Sequence, residues 1–217
     1  MKKYIFLLLA IISFQMSSQA QDFKTMLTKT WTTFDTTNNT ATRAEASNKL
    51  GLIAKKWNEE WAAHYYNALS KIILSYTSKD EALRDSYIDE AEKERDETVR
   101  LLGKENDETY VIAAMVANAR LAVKPQSRWQ TFGKVFDENI AKAKELNPNN
   151  PRIYYLQGTS KRYTPKMFGG GKKKALPYFE KADSLFAKQP THDILTITWG
   201  KSSNDTFLNE AKTEDKE

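Results

Sequence analysis

The sequence predicts an all-α protein of about seven to eight helices arranged as helical hairpins. Three observations carry this. Apolar residues recur at helical rather than alternating spacing through most of the chain. Helix start signals stand at the head of several of these stretches. The links between them are short.

Taken in order, residues 22–37 add a first helix and 43–57 a second. In 59–77, Trp61, Tyr65, Ala68, Leu69, Ile72 and Tyr76 fall on one stripe. The stretch 79–102 is charged, and Asp89 to Arg100 is almost continuous charge of alternating sign. That pattern describes a long helix with a solvated face and ion pairs one turn apart. Glu90, Glu94 and Glu97 are considered as a carboxylate site, but no histidine lies nearby in sequence to complete a metal centre. Tyr110, Ala113, Ala114, Ala117 and Leu121 mark a helix over 107–123, and Phe132, Val135, Phe136, Ile140 and Ala143 one over 127–146. Two more follow at 151–163 and 172–188, the last striped by Ala175, Tyr178, Phe179, Ala182, Leu185 and Phe186. Each stripe is one face to bury against a neighbour. Thr42 with Glu45, Ser78 with Glu81 and Ser127 with Gln130 fit the capping-box spacing. Asn150-Pro151 reads as an N-cap followed by proline at the first helical position.

The run Ile194 to Trp199 is the one strand-like segment, expected to cap the end of the last helix pair. Residues 201–217 lack apolar periodicity and hold Asp205, Glu210, Glu214, Asp215 and Glu217 against Lys212 and Lys216. They are expected to form a disordered acidic tail.

The first 20 residues read as a cleaved export signal. Lys2 and Lys3 precede an apolar run from Tyr4 to Phe14, too short to span a bilayer. Ser18-Gln19-Ala20 supplies the small residues of a cleavage point. Cleavage after Ala20 places the mature protein in the periplasm or outside the cell. No cysteine occurs anywhere, so a lipid anchor at Gln21 and a disulfide scaffold are both excluded. Stability must come from a packed core in residues 21–200, read as one domain. Two lysines leave with the signal, which takes the formal charge from +5 to +3. That excess is too mild for a nucleic-acid surface. No later stretch is apolar enough for stable membrane insertion.

The spacing inside the later helices is more specific. Phe136, Ile140, Ala143 and Pro148 stand as in the second helix and inter-repeat turn of a tetratricopeptide repeat. Tyr154 and Gly158 follow at the first-helix positions, with Gln157 where the family has leucine. Ala175, Phe179 and Ala182 restore the second-helix spacing. Residues 107–188 therefore resemble tetratricopeptide repeats, and 40–102 resemble them in helix order and length. The resemblance implies a right-handed solenoid of helical hairpins that presents a concave binding face. Small residues let the two helices of a hairpin approach.

One tract interrupts the last hairpin. Thr164-Pro165-Lys166-Met167-Phe168-Gly169-Gly170-Gly171-Lys172-Lys173-Lys174-Ala175 is similar to the loop in the T-component of TRAP-type transporters, an exported helical family that assists solute uptake. An acidic residue usual after that family's glycines is absent here. Two readings of the tract stay open. The glycines permit a tight turn with positive φ, or their backbone amides hold an anion at a helix start, with Lys166, Phe168, Gly169, Gly170, Gly171, Lys172 and Lys173 as the binding set. It is not a P-loop, because neither the GxxxxGK[ST] spacing nor a preceding strand is present.

Catalytic signals are missing. His64 lies beside the Trp61/Tyr65 stripe and reads as a packed helix residue; His192 has no nucleophile motif to pair with. HExxH, GxSxG and cysteine nucleophiles are absent, and no cofactor is implied. Trp31 and Trp129 lie off the best stripes and are placed to line a groove. The expected function is a non-catalytic interaction module of the bacterial envelope that binds a protein or peptide. The alternative is a small-anion or solute-binding accessory protein for a transporter, working through the loop 165–174.

Overall fold

A computed structural model describes residues 20–190 and 193–213. The export signal lies outside the described residues except for Ala20. The chain is all-α. Helix α1 occupies 20–36. It is followed by α2 (Thr40–Lys56), α3 (Trp61–Ser75), α4 (Glu81–Leu102), α5 (Asp107–Val123), α6 (Pro125–Leu146), α7 (Pro151–Tyr163), α8 (Lys172–Phe186) and α9 (Lys201–Thr213), with 3-10 turns at Lys166–Phe168 and Ile194–Thr196.

The helix starts follow local chemistry, but not where the capping-box spacing put them. Asn39 caps α2 by accepting the Thr42 amide, and Asp80 caps α4 by accepting those of Ala82 and Leu83. Helix α6 opens on Pro125, whose missing N–H is no loss at the first position. The Thr42, Ser78 and Ser127 boxes are therefore not used. The true box joins Asn106 and Thr109 at the start of α5. Asn150 caps α7 ahead of Pro151 as expected, its side chain 2.9 Å from the Arg152 amide.

Consecutive helices pair as α3–α4, α5–α6 and α7–α8, and the first helices of successive pairs, α3, α5 and α7, also touch. Gly158 on α7 shows why the last pair is close: a Cβ there would stand 2.6 Å from the Phe179 ring of α8. A second apolar cluster joins α8 and α9, and the main core runs from α1 to α7 with α3 at its centre. Tyr65, Tyr66, Leu69 and Ile72 are buried there, along with the polar pair Ser70 and Ser47 of α2, 2.8 Å apart. Helix α1 seals this side with Phe23, Leu27, Trp31 and Phe34. Trp31 is thus a core residue stacked on Phe34, 5.3 Å between ring centres, and tilted against Tyr66; it lines no groove. Trp129 stays exposed.

Two further corrections concern the C-terminal part. The strand-like run is instead the 3-10 turn and loop that carry Ile194, Ile197 and Trp199 into the core. Tyr66 donates to the Ile194 carbonyl at 2.8 Å and the Trp199 indole donates to Tyr65 Oη at 2.8 Å. The expected disordered tail is helical through Thr213. Leu208 and Ala211 bury against Ala175 and Phe179 of α8, and Asn204 donates to the Phe179 carbonyl at 3.1 Å. Two apolar residues one turn apart suffice to dock a short helix, although they make a weak periodic signal.

The charged face of α4 pairs mostly across helices rather than along its own. Arg120 of α5 bonds Asp85, Asp89 and Glu92, and Arg128 of α6 forks onto Asp85 at 2.8 Å. These arginines, Arg128 first, hold the Asp85 carboxyl down at about 2. Among the described residues no group of three or more histidines and acids is placed to hold a metal ion, and no helix is long and apolar enough to cross a membrane.

Candidate functional site

The glycine tract is a locked turn. Gly169 and Gly171 have φ of 78° and 102°, the left-handed region that only glycine adopts without cost. A Cβ on Gly170 would overlap the Thr164 carbonyl. The three glycine amides donate to the carbonyls of Lys166, Pro165 and Lys161 at 3.0, 3.2 and 2.9 Å. The amides expected to cradle an anion are thus engaged in holding the turn. What the turn presents is different. Met167 and Phe168 project from the 3-10 turn, 83% and 71% exposed, and Tyr163 at the end of α7 is 68% exposed with its ring edge-on to Phe207 of α9. Lys166, Lys172, Lys173 and Lys174 surround them in sequence. Lys166 and Phe168 thus lie on the 3-10 turn and Lys172 and Lys173 in the first turn of α8, with the three glycines as the link between them.

His64 is a packed residue. Its Nδ1 lies 2.6 Å from Glu94 of α4 and its Nε2 3.2 Å from the Asn58 carbonyl. Burial pulls its pKa down, but the hydrogen bond and charge of Glu94 outweigh this and leave it raised. His192 lies outside the described residues.

Two grooves cross the surface. One, of about 320 Å³, lies over α4, α5 and α6 and is lined by Val116, Ala117, Phe132 and Val135 with Glu92, Arg95 and Asp96 at its edge. The larger, about 420 Å³, lies between α1 and α2 and is within the usual size range of ligand pockets. Met26, Ala46, Leu52, Ile53 and Trp57 supply its apolar lining; Lys29, Lys49 and Lys56 stand around it against the single acid Glu45; Thr30, Thr33 and Thr42 add hydroxyls. Leu52 is 63% and Met26 45% exposed, so the lining includes large apolar side chains open to solvent. Lys56 lies over the Trp57 ring at 4.1 Å. The arrangement suits a ligand with an apolar body and anionic substituents.

No family model matches the chain, and no curated protein matches it. Among solved structures, the HusA haemophore from Porphyromonas gingivalis is similar, with 34% sequence identity and a TM-score of 0.73 over 87% of this chain and 92% of that one. The chain belongs to the HusA family. The likeness spans nearly the whole helical stack, so the relation to HusA is one of the entire fold and not of a single loop or motif.

In this HusA-family chain the α1–α2 groove is the feature that the sequence did not reveal by itself. Its signal is present in retrospect. Met26, Lys29, Thr30 and Thr33 keep helical spacing on α1, and Lys49, Leu52, Ile53 and Lys56 keep it on α2. Each is a mixed stripe of apolar and basic residues. Such a stripe looks like a blurred core face until a second one is set opposite it.

Proposed function

We propose that this protein is an exported, non-catalytic carrier of haem, held in the groove between α1 and α2. The relation to the HusA haemophore is the observation that carries the reading. The groove supports it chemically. Haem is a flat apolar ring with carboxylate arms; Met26, Leu52, Ile53 and Trp57 offer the ring apolar surface, and Lys29, Lys49 and Lys56 offer cations to the carboxylates. The export signal read in residues 1–20 would deliver the carrier to the periplasm or exterior. The pairing of α3–α4, α5–α6 and α7–α8 supports the tetratricopeptide-like description of the stack, here used to hold a groove rather than to run a reaction.

Of the two functions read from the sequence, the solute-binding one gains from the HusA relation, with its site moved from the glycine loop to the groove. Titration with haemin, followed by the Soret band and by quenching of tryptophan emission, tests it. Saturable 1:1 binding is expected. Leu52→Glu combined with Lys49→Glu should weaken it at least about tenfold, since each change puts an acid where the ligand needs apolar surface or a cation. No saturable response would sink haem binding. Wild-type affinity in the double variant would move the site away from this groove.

A further inference from the structure

We propose that the tip of the α7–α8 loop docks the protein onto an anionic lipid surface. This stands independently of the haem reading. Among the described residues, the two most exposed large apolar side chains belong to this tip, Met167 at 83% and Phe168 at 71%. Soluble surfaces scatter such residues singly; two adjacent ones at the apex of a fixed turn are unusual.

The tip does not expose them through slackness. The Phe168 amide donates to the Pro165 carbonyl at 2.9 Å, and the three following glycine amides close the turn behind it. Gly170 packs so tightly on Thr164 that no other residue fits. The backbone therefore holds Met167 and Phe168 outward, away from a core they have the chemistry to join. The charged residues beside them in the chain are basic. No acidic residue occurs from 158 to 179. Glu210 of α9 reaches the end of α7, where Arg162 takes it up. Lys172, Lys173 and Lys174 sit in the first turn of α8, where positive charge is unfavourable for the helix itself.

An aromatic and a thioether at the apex, with lysines behind, is the chemistry of an interfacial anchor. Apolar side chains enter the boundary between headgroups and acyl chains, and lysine stems reach along it to the phosphates. Neither element holds a membrane alone, because several weak signals must act together. A pocket on an acidic protein would complement the charge too. Two adjacent apolar side chains exposed at a turn, with lysines on both sides of them in the chain, fit a deformable bilayer boundary better.

The test uses the full mature chain and co-sedimentation with phosphatidylcholine vesicles, with and without phosphatidylglycerol. Binding is expected only to the mixed vesicles and should fade as salt rises. Met167→Ser with Phe168→Ser, at unchanged charge, should weaken it about tenfold or more, and Lys172→Glu with Lys173→Glu should do the same. Both pairs lie on the exposed loop, and circular dichroism verifies the fold. In a Phe168→Trp variant, the emission should shift to the blue on mixed vesicles and be quenched by brominated lipid. Absence of binding to mixed vesicles at low salt overturns the proposal. So does binding that is indifferent to the Met167/Phe168 change, or an emission from the Phe168→Trp variant that stays the same with and without mixed vesicles. Capture of an acidic protein without vesicle binding likewise counts against it.

Discussion

Arg152 is fully buried on α7, and its guanidinium decides how three helices and the C-terminal loop meet. It donates to Glu108 of α5 at 2.9 Å, to Gln189 at 3.3 Å and to the Ile197 carbonyl, and it lies over the Trp199 ring at 5.2 Å. Glu108 in turn accepts from Tyr65 of α3 at 2.7 Å and from Asn150 at 2.8 Å. Burial pushes the Glu108 carboxyl up, with Arg152 pulling against it, and it pushes the Tyr65 phenol well up. Ile197 has a φ of 49°, the one positive value on a non-glycine among the described residues. A branched side chain rarely takes that conformation, and here its carbonyl accepts from Arg152 while its side chain is buried. Removing one partner of a buried pair costs more than the pair is worth, because the other charge stays behind. Arg152→Met should therefore destabilise the protein by about 3–5 kcal/mol. Adding Glu108→Gln should restore part of that, since the stranded charge is gone. Urea unfolding midpoints measure both; a single variant as stable as wild type would show that the pair is idle. Little of this was legible beforehand. Arg152 reads as an ordinary polar position after an N-cap, and only the fold brings Glu108, 44 residues earlier, beside it.

At the scale of the element, His64 joins three pieces: its own helix α3, Glu94 of α4 and the α2–α3 link at Asn58. Its pKa is raised in the folded state, burial being outweighed by Glu94. A raised folded pKa means the protonated form is favoured by folding. The stability it contributes is fully present below the unfolded value of about 6.5 and is lost as pH rises through the folded value. Wild type should therefore lose stability on going from below about pH 6.5 toward alkaline pH, and His64→Gln should flatten that slope. Thermal unfolding across this range checks it; an unchanged slope in the variant would remove His64 from the account. The elements themselves were largely legible. The stripes from Trp61 to Phe186 became helices because period and burial agree along them. The misses occurred where they part. Helix α9 buries Leu208 and Ala211 but also the polar Asn204, with Phe207 half-buried beside them, so its polar majority hid a docked helix. Ile194 to Trp199 is apolar because Ile194, Ile197 and Trp199 bury in the core, with the Trp199 indole donating to Tyr65 and the Ile194 carbonyl accepting from Tyr66, not because it pairs as a strand. Of the two readings open for the glycine tract, the backbone takes the turn with positive φ, and its amides bond within that turn.

For the whole molecule, the stack separates two surfaces. The α1–α2 groove lies at its first helices and the apolar loop tip between α7 and α8, with the α3–α4 and α5–α6 hairpins between them in the chain. Changes at one surface should leave the other's binding intact, which is how a carrier can hold a ligand while docked. The groove's composition also dictates how haem would be held. Strong iron ligands in proteins are histidine, cysteine and tyrosine, with methionine usually paired to one of these. The groove lining holds none of the first three; Met26 is its one thioether. His64 is occupied by Glu94 and Asn58. Affinity must then come from apolar contact with the ring and from Lys29, Lys49 and Lys56 facing its carboxylates, neither of which needs the metal. Iron-free protoporphyrin should accordingly bind within about tenfold of haemin, a difference under about 1.4 kcal/mol. Both should weaken with salt in parallel, because exposed lysine–carboxylate pairs are screened. Met26→Ala should cost affinity for both ligands alike through lost contact area. Quenching of Trp57 at the groove edge reads each case on one scale. If protoporphyrin fails to bind where haemin succeeds, iron ligation dominates, and a side chain outside this groove must supply it.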